Sequence, residues 1–195
     1  MTTIAFIRHG VTAWNKEGRA QGKTDVPLDE EGILMAERVA ERMEKEHWDV
    51  IYTSPLIRAK RTAEIIAEKL PEINFNTDIR LGEIGGGLIE GTTEQERVDK
   101  WGLNWREQDM GFEKEDVIIA RGLSFIEDIQ KAHRGKKVIV VSHGGFLARV
   151  FNALIPGGEF SNDIGNTSVT IVELKDERNH CHLFNCMKHL EMREV

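Results

Sequence analysis

Two short apolar runs stand far apart in the chain, Ile4-Ala5-Phe6-Ile7 and Val138-Ile139-Val140-Val141, and each stops within two residues of a histidine. Four consecutive apolar residues leave no polar face for water, so each run reads as a strand covered on both sides. Strands of that kind belong to mostly parallel sheets flanked by helices. The first run continues as Arg8-His9-Gly10, the second as Ser142-His143-Gly144-Gly145. Open α/β sheets receive ligands at the carboxyl ends of their strands. Taken singly, either dipeptide is only the polar end of a strand. If the two strands are neighbours, His9 and His143 meet at one sheet edge and become a candidate site.

Between these runs the helical and extended patterns alternate. Asp29 reads as an N-cap, and Ile33, Ala36, Val39, Ala40 and Met43 give residues 30–46 the spacing of an amphipathic helix. A strand at Val50–Thr53 follows. Ser54-Pro55 then reads as N-cap and first position of a helix reaching residue 70, with Leu56, Ala59, Ala63, Ile66, Ala67 and Leu70 inward. Arg58 lies off that stripe, near the positive end of the helix dipole. Pro71 ends the helix, and a short strand is expected around residues 74–76. Leu81 to Gly87 is a loop, with three consecutive glycines at its end. Residues 93–110, with Trp101, Trp105 and Met110, read as a short helical excursion over a core edge rather than as a substrate lid. Helices at 117–132 and from Leu147 to Leu154 follow, the second closed by Pro156-Gly157-Gly158. A hairpin of strands 169–174 and 181–187 completes the chain. The expected fold class is α/β, a three-layer α/β/α sandwich on a mostly parallel sheet. It forms a single domain over 1–195, with a variable, substrate-covering segment at about 88–120. Helices beginning at 54 and 144 would aim their N-terminal N–H groups at the edge that holds the histidines, an anion-binding arrangement.

Charge and composition narrow the partners. A formal net charge of −7 argues against nucleic acid and anionic membrane surfaces. No apolar run approaches the ~20 residues of a membrane helix, and no secretory leader is visible. Two cysteines, Cys181 and Cys186, fit a reducing compartment, so a cytoplasmic location is expected. His180, Cys181, His182 and Cys186 lack the paired, close-spaced ligands of a zinc site, and no metal is expected. The sequence leaves the oligomeric state open between monomer and homodimer.

The residues expected at the histidine edge are Arg8, His9, Asn15, Arg58, Glu83 and His143. Guanidiniums match phosphate oxygens with paired donors and stay charged. Imidazoles beside them should ionise below their usual range and so remain neutral, and a neutral imidazole can attack phosphorus. No P-loop and no pair of metal-spaced carboxylates accompanies the histidines. A small-molecule phosphate ester is the expected ligand.

Arg8-His9-Gly10, followed by Thr12 and Trp14-Asn15, resembles the signature of the histidine phosphatase superfamily, the group that includes cofactor-dependent phosphoglycerate mutases. Further blocks are similar in the same order: Gln21-Gly22, Asp25 and Pro27-Leu28; Tyr52-Thr53-Ser54-Pro55-Leu56 with Arg58-Ala59 and Thr62-Ala63; Leu81-x-Glu83 with Gly87 and Glu90-Gly91; Ser142-His143-Gly144-Gly145; and Asn166-Thr167. The resemblance implies a phosphoglycerate mutase-like fold and a metal-independent phosphatase that needs no cofactor. It implies His9 as nucleophile, forming a phosphohistidine. Arg8, Arg58 and His143 would hold the phosphoryl group, with Asn15, Gln21, Gly22 and Gly144 lining the substrate site. Glu83 would protonate the leaving oxygen and then activate water. The chain departs from the family at Gly85-Gly86, where an acidic or amide residue and an aromatic are usual, and a more mobile acid loop is expected. Mutase relatives carry a tyrosine and an arginine pair after that loop. Here the segment reads Thr92-Thr93-Glu94-Gln95-Glu96-Arg97, which favours hydrolysis over mutase-type phosphoryl transfer. A non-catalytic phospho-ligand binding module is the remote alternative.

Overall fold

The computed structural model describes residues 1–155, 157, 158, 160 and 163–191, so the expected helix stop at Pro156 lies outside the described residues. The elements in chain order are β1 (Thr2–Arg8), α1 (Ala13–Lys16), α2 (Glu30–Met43), β2 (Val50–Thr53), α3 (Ile57–Glu68) and β3 (Asn74–Thr77). There follow α4 (Glu94–Trp101), α5 (Glu115–Ala132), β4 (Lys137–Ser142), α6 (Gly144–Leu154), β5 (Val169–Leu174) and β6 (His180–Cys186). The six strands form one sheet in the order β3-β2-β4-β1-β5-β6.

The two fully apolar runs are neighbours. β1 and β4 pair in parallel, Ile4 opposite Val138 and Arg8 opposite Ser142. β2 pairs in parallel with β4 and with β3, while β5 and β6 add an antiparallel hairpin at the other edge. Ile4 and Phe6 face a core built with Phe125, Ile126, Phe146, Val150 and Phe151 of α5 and α6. Ala5 and Ile7 face the opposite core, with Ala36, Val39, Ala59, Ala63 and Ile66 of α2 and α3. Alternate residues of one strand therefore serve two cores, which is why the run carries no polar position. Helices cover both faces, and the sandwich is of the expected three-layer kind.

One local expectation needs correction. Ser54 does not cap α3: that helix starts at Ile57, its N-cap position is Leu56, and no side chain caps it. The Ser54 hydroxyl instead accepts from the Leu56 N–H at 3.2 Å, making a turn before the helix begins. Arg58 lies off the apolar stripe, as its spacing requires, yet it is completely buried. It enters a polar pocket rather than solvent. The excursion at 93–110 is α4 plus a 3-10 turn at Trp105–Glu107. Trp105 is buried there, its ring between the Arg97 and Arg106 guanidiniums and its indole N–H donating to Glu94 Oε1.

Candidate active site

The Arg8–Ser142 register carries both histidines to the same edge, and the His9 N–H donates to Ser142 O at 3.0 Å. Their rings are buried, with centroids 5.2 Å apart. His9 Nδ1 lies 2.6 Å from Gly10 O. A carbonyl only accepts, so Nδ1 carries the proton and the neutral ring keeps its lone pair at Nε2. His143 Nε2 meets the Ser54 hydroxyl at 2.8 Å, while its Nδ1 is buried with no partner in the protein. Both imidazoles ionise well below the ordinary histidine value. Burial is the larger cause for each, ahead of the guanidiniums that the sequence reading had emphasised; for His143 the His9 ring adds to the effect.

The two arginines are fixed by backbone carbonyls. Arg58 donates from Nη1 to Thr24 O and from Nη2 to Gly22 O, each at 2.8 Å, and Arg8 Nη1 donates to Ile164 O. In both residues Nε is buried and without a partner. Burial lowers both guanidiniums from their usual value, with Glu83 the foremost opposing charge, but an arginine side chain stays ionised. A Cβ at Gly144 would stand 3.1 Å from Arg8 Nε, so the glycine leaves room for that guanidinium. Three buried nitrogens, Arg8 Nε, Arg58 Nε and His143 Nδ1, thus lack a partner in the protein, and two of them belong to cations. Desolvating such groups is costly unless an anion joins them.

Glu83 reaches the same place from the loop before α4. Its Oε1 accepts from Ile84 N and Phe146 N, both at 2.9 Å, and Oε2 accepts from Gly145 N at 3.3 Å. The second and third amides of α6, those of Gly145 and Phe146, are therefore matched by the Glu83 carboxylate. The start of α3 is treated alike, Asp25 Oδ1 accepting from Ile57 N at 2.7 Å. Helix N-termini converge on this edge as expected, and internal carboxylates take the Ile57 N–H of α3 and the Gly145 and Phe146 N–H groups of α6.

Thr12 caps α1 and Asn15 closes the capping box, its Oδ1 accepting from the Thr12 N–H and hydroxyl at 3.1 Å, which leaves its amide nitrogen as a donor. Gln21 Oε1 is buried and unpaired, and Gly22 takes part through its carbonyl. Sequence reasoning missed the residues that hold these groups. Thr62 Oγ1 accepts from Gly10 N and donates to Arg58 O, tying the turn after His9 to α3. Glu90 accepts from the N–H groups of Lys23, Thr24 and Gly86 and from the Thr24 hydroxyl, so it joins the loop around Arg58 to the glycine run. The only signal for either was its place in a resembling block. Among the described residues no group of three or more His, Cys, Asp or Glu side chains is placed to hold a metal ion. His182 contacts Glu173, and Cys186 contacts Arg42.

A family model described as histidine phosphatase superfamily (branch 1) matches residues 4–187. The metal-independent phosphoserine phosphatase of Arabidopsis thaliana is 33% identical over 188 residues, covering 91% of this chain and 79% of that protein. Phosphoglycerate mutase-like protein 4 of the same plant is 34% identical over 183 residues, covering 89% of this chain and 80% of the relative. Among solved structures, a phosphoserine phosphatase variant from Entamoeba histolytica, in complex with phosphoserine, superposes with a TM-score of 0.81. It is 28% identical and covers 98% of this chain and 100% of its own.

Proposed function

The chain belongs to the histidine phosphatase superfamily, and on that premise we propose that it hydrolyses phosphate monoesters through a phosphohistidine on His9. The observation that carries this reading is the set of unmatched buried groups, Arg8 Nε, Arg58 Nε and His143 Nδ1, around a histidine whose tautomer is fixed. The Arg8, Arg58 and His143 groups bind the phosphoryl oxygens, and Asn15 adds its amide. With Ser54 donating to His143 Nε2, His143 turns Nδ1–H toward the anion.

Nε2 of His9 attacks phosphorus as the ester P–O bond breaks, and Glu83 gives its proton to the departing oxygen. In the second step the Glu83 carboxylate takes a proton from water, and the resulting hydroxide attacks phosphorus. The N–P electron pair returns to Nε2, and inorganic phosphate leaves. Donors fixed in advance on the phosphoryl oxygens stabilise charge in both transition states.

A mutase-type transfer is disfavoured by two observations. The chain's single tyrosine, Tyr52, bonds His133 at 3.0 Å on β2, and Arg97 donates to Thr92, its Nε reaching Oγ1 at 2.9 Å. Neither is left to grip a substrate carboxylate. The expected substrate is a small phosphorylated metabolite, with phosphoserine the first to assay in view of the relatives. Residues 88–120 are its cover, since Gly91 N donates to Ala20 O and Ala20 N to Thr92 O beside the Arg58 loop. The unpaired cysteines support a cytoplasmic location. Mixing with a phosphate-labelled monoester, stopped in alkaline denaturant because the N–P bond is acid-labile, tests the reading. Label on wild type and none on His9→Ala is the expected result, and equal labelling of both proteins would remove His9 as nucleophile.

A further inference from the structure

The glycine run after Glu83 should leave the acid loop slack, since three residues without side chains lose the most backbone entropy on ordering. The structure ties this loop down from a distance. Arg121, on the second turn of α5, donates from Nη1 to Arg80 O and to Gly82 O (2.8 Å), and from Nη2 to Glu83 O at 3.4 Å. Its Nε donates to Glu113 Oε1 at 2.8 Å. Glu113 closes the frame by pairing with Gly85 in both directions: Gly85 N donates to Oε2 at 2.9 Å, and Glu113 N donates to Gly85 O at 3.0 Å. The Arg121 guanidinium also lies 4.5 Å from the Phe146 ring centroid, and Phe146 N holds the Glu83 carboxylate. One guanidinium therefore touches both the backbone that carries Glu83 and the residue that grips its carboxylate.

We infer that Glu113 and Arg121 are positioning residues that keep Glu83 aligned with the leaving oxygen, taking over the rigidity that Gly85-Gly86-Gly87 gives up. The inference rests on the reading of Glu83 as proton donor. It gives the segment at 88–120 a task besides covering the substrate, because Glu113 belongs to it. Both side chains are largely buried, 11% and 16% exposed, so water does not compete strongly for these bonds. Burial pushes the Glu113 carboxyl up, but the bonds from Arg121 and Gly85 outweigh it and keep the group below the usual range, hence ionised. Lys23 Nζ, 3.4 Å from Glu113 Oε2, adds a weaker tie on the solvent side.

The test is single-turnover phosphoryl transfer from an alkyl and an aryl phosphate to Glu113→Gln, Arg121→Lys and Glu83→Gln. An alkyl leaving group needs the proton; an aryl one departs as a stable anion. Misplacing the donor by about an ångström should slow the alkyl substrate about 10- to 100-fold in Glu113→Gln and Arg121→Lys. The aryl substrate and the affinity for inorganic phosphate should hardly change. Arg121→Lys keeps the positive charge near His143 but loses the fork, so a loss in that variant points to geometry rather than charge. Glu113→Gln is nearly isosteric and safeguards the test should the Arg121 variant fail to fold. Equal slowing of both substrates, or of neither, in Glu113→Gln overturns the inference. If Glu83→Gln shows no leaving-group selectivity, the acid assignment itself fails and the inference falls with it. If Glu83→Gln is selective and Glu113→Gln is not, only the positioning role is lost.

Discussion

Arg8 lies opposite Ser142 across the parallel pair of β1 and β4, and this register alone brings the next residues, His9 and His143, to a ring separation of 5.2 Å. A slip of one residue would send one imidazole to the opposite face. The site is therefore as stable as the central ladder, whose core residues Ile4, Ile7, Ile139 and Val140 are fully buried.

His9→Ala should lower hydrolysis by about 10⁴-fold or more, as loss of a nucleophile does. Phosphate affinity should weaken only modestly, because Arg8, Arg58 and His143 remain. Phosphate release and equilibrium phosphate binding measure the two effects. Near-normal turnover would mean that another group attacks phosphorus.

Glu83→Gln should slow alkyl phosphates by about 10²–10⁴-fold and aryl phosphates far less, the usual worth of a general acid. Single-turnover rates with the two ester types decide it. An equal penalty on both would assign Glu83 a binding role.

Removal of divalent ions by a chelator should leave turnover unchanged. The polar partners of His9 and His143 are a carbonyl and a hydroxyl, and the nearest charges include Arg8 and Arg58. Such surroundings repel a metal cation. Activity assayed before and after dialysis against chelator tests this, and strict recovery on adding a divalent ion would contradict it.

Gly85 and Gly87 should respond oppositely to alanine. A Cβ at Gly85 meets nothing closer than 3.5 Å, so Gly85→Ala should stabilise the fold by about 0.4–1 kcal/mol through the unfolded chain. Gly87 has φ +53°, and a Cβ there would stand 2.0 Å from Met110 O. Gly87→Ala should cost more than about 1 kcal/mol. Urea unfolding of both variants measures the difference; a stable Gly87→Ala would show that the loop relaxes away from Met110.

Stability should fall as the solution is acidified below the ordinary histidine range. Burial, with Arg42 and Arg38 behind it, brings His189 down to about 4, and His9 and His143 are also held well below 6.5. The unfolded chain takes up these protons first. The stability is thus present above the unfolded value and is lost as pH falls toward the folded one. Each such histidine removes at most about 1.4 kcal/mol per pH unit in that window. Urea midpoints between about pH 7.5 and pH 4.5 should decline, less steeply in His189→Gln. A flat profile would mean that the three rings are protonated in the folded protein.

Most of the fold is legible because its signals are local. The apolar runs at 4–7 and 138–141, the spacing of Ala36, Val39, Ala40 and Met43, and Asp29 before α2 each name an element from neighbouring residues. Asp29 does cap that helix, accepting from Gly32 N at 2.8 Å. The Ser54-Pro55 signal misled because the serine hydroxyl has another use, meeting His143 from the end of the neighbouring strand.

The sequence by itself determined the strands, most helices and the residue types of the site, since periodicity and the polar ends of apolar runs are properties of adjacent residues. Tertiary structure alone decided which groups converge at the sheet edge. Arg58 is buried because Thr24 O and Gly22 O, 34 and 36 residues earlier, accept its guanidinium. Glu83 engages the amides of Gly145 and Phe146, 62 and 63 residues later, and the glycine run is held by Glu113 from a separate loop. Hydrogen bonds between distant loops depend on where backbone groups arrive after the sheet has assembled. No pattern of adjacent side chains encodes that, because every residue except proline carries the same N–H and C=O to offer.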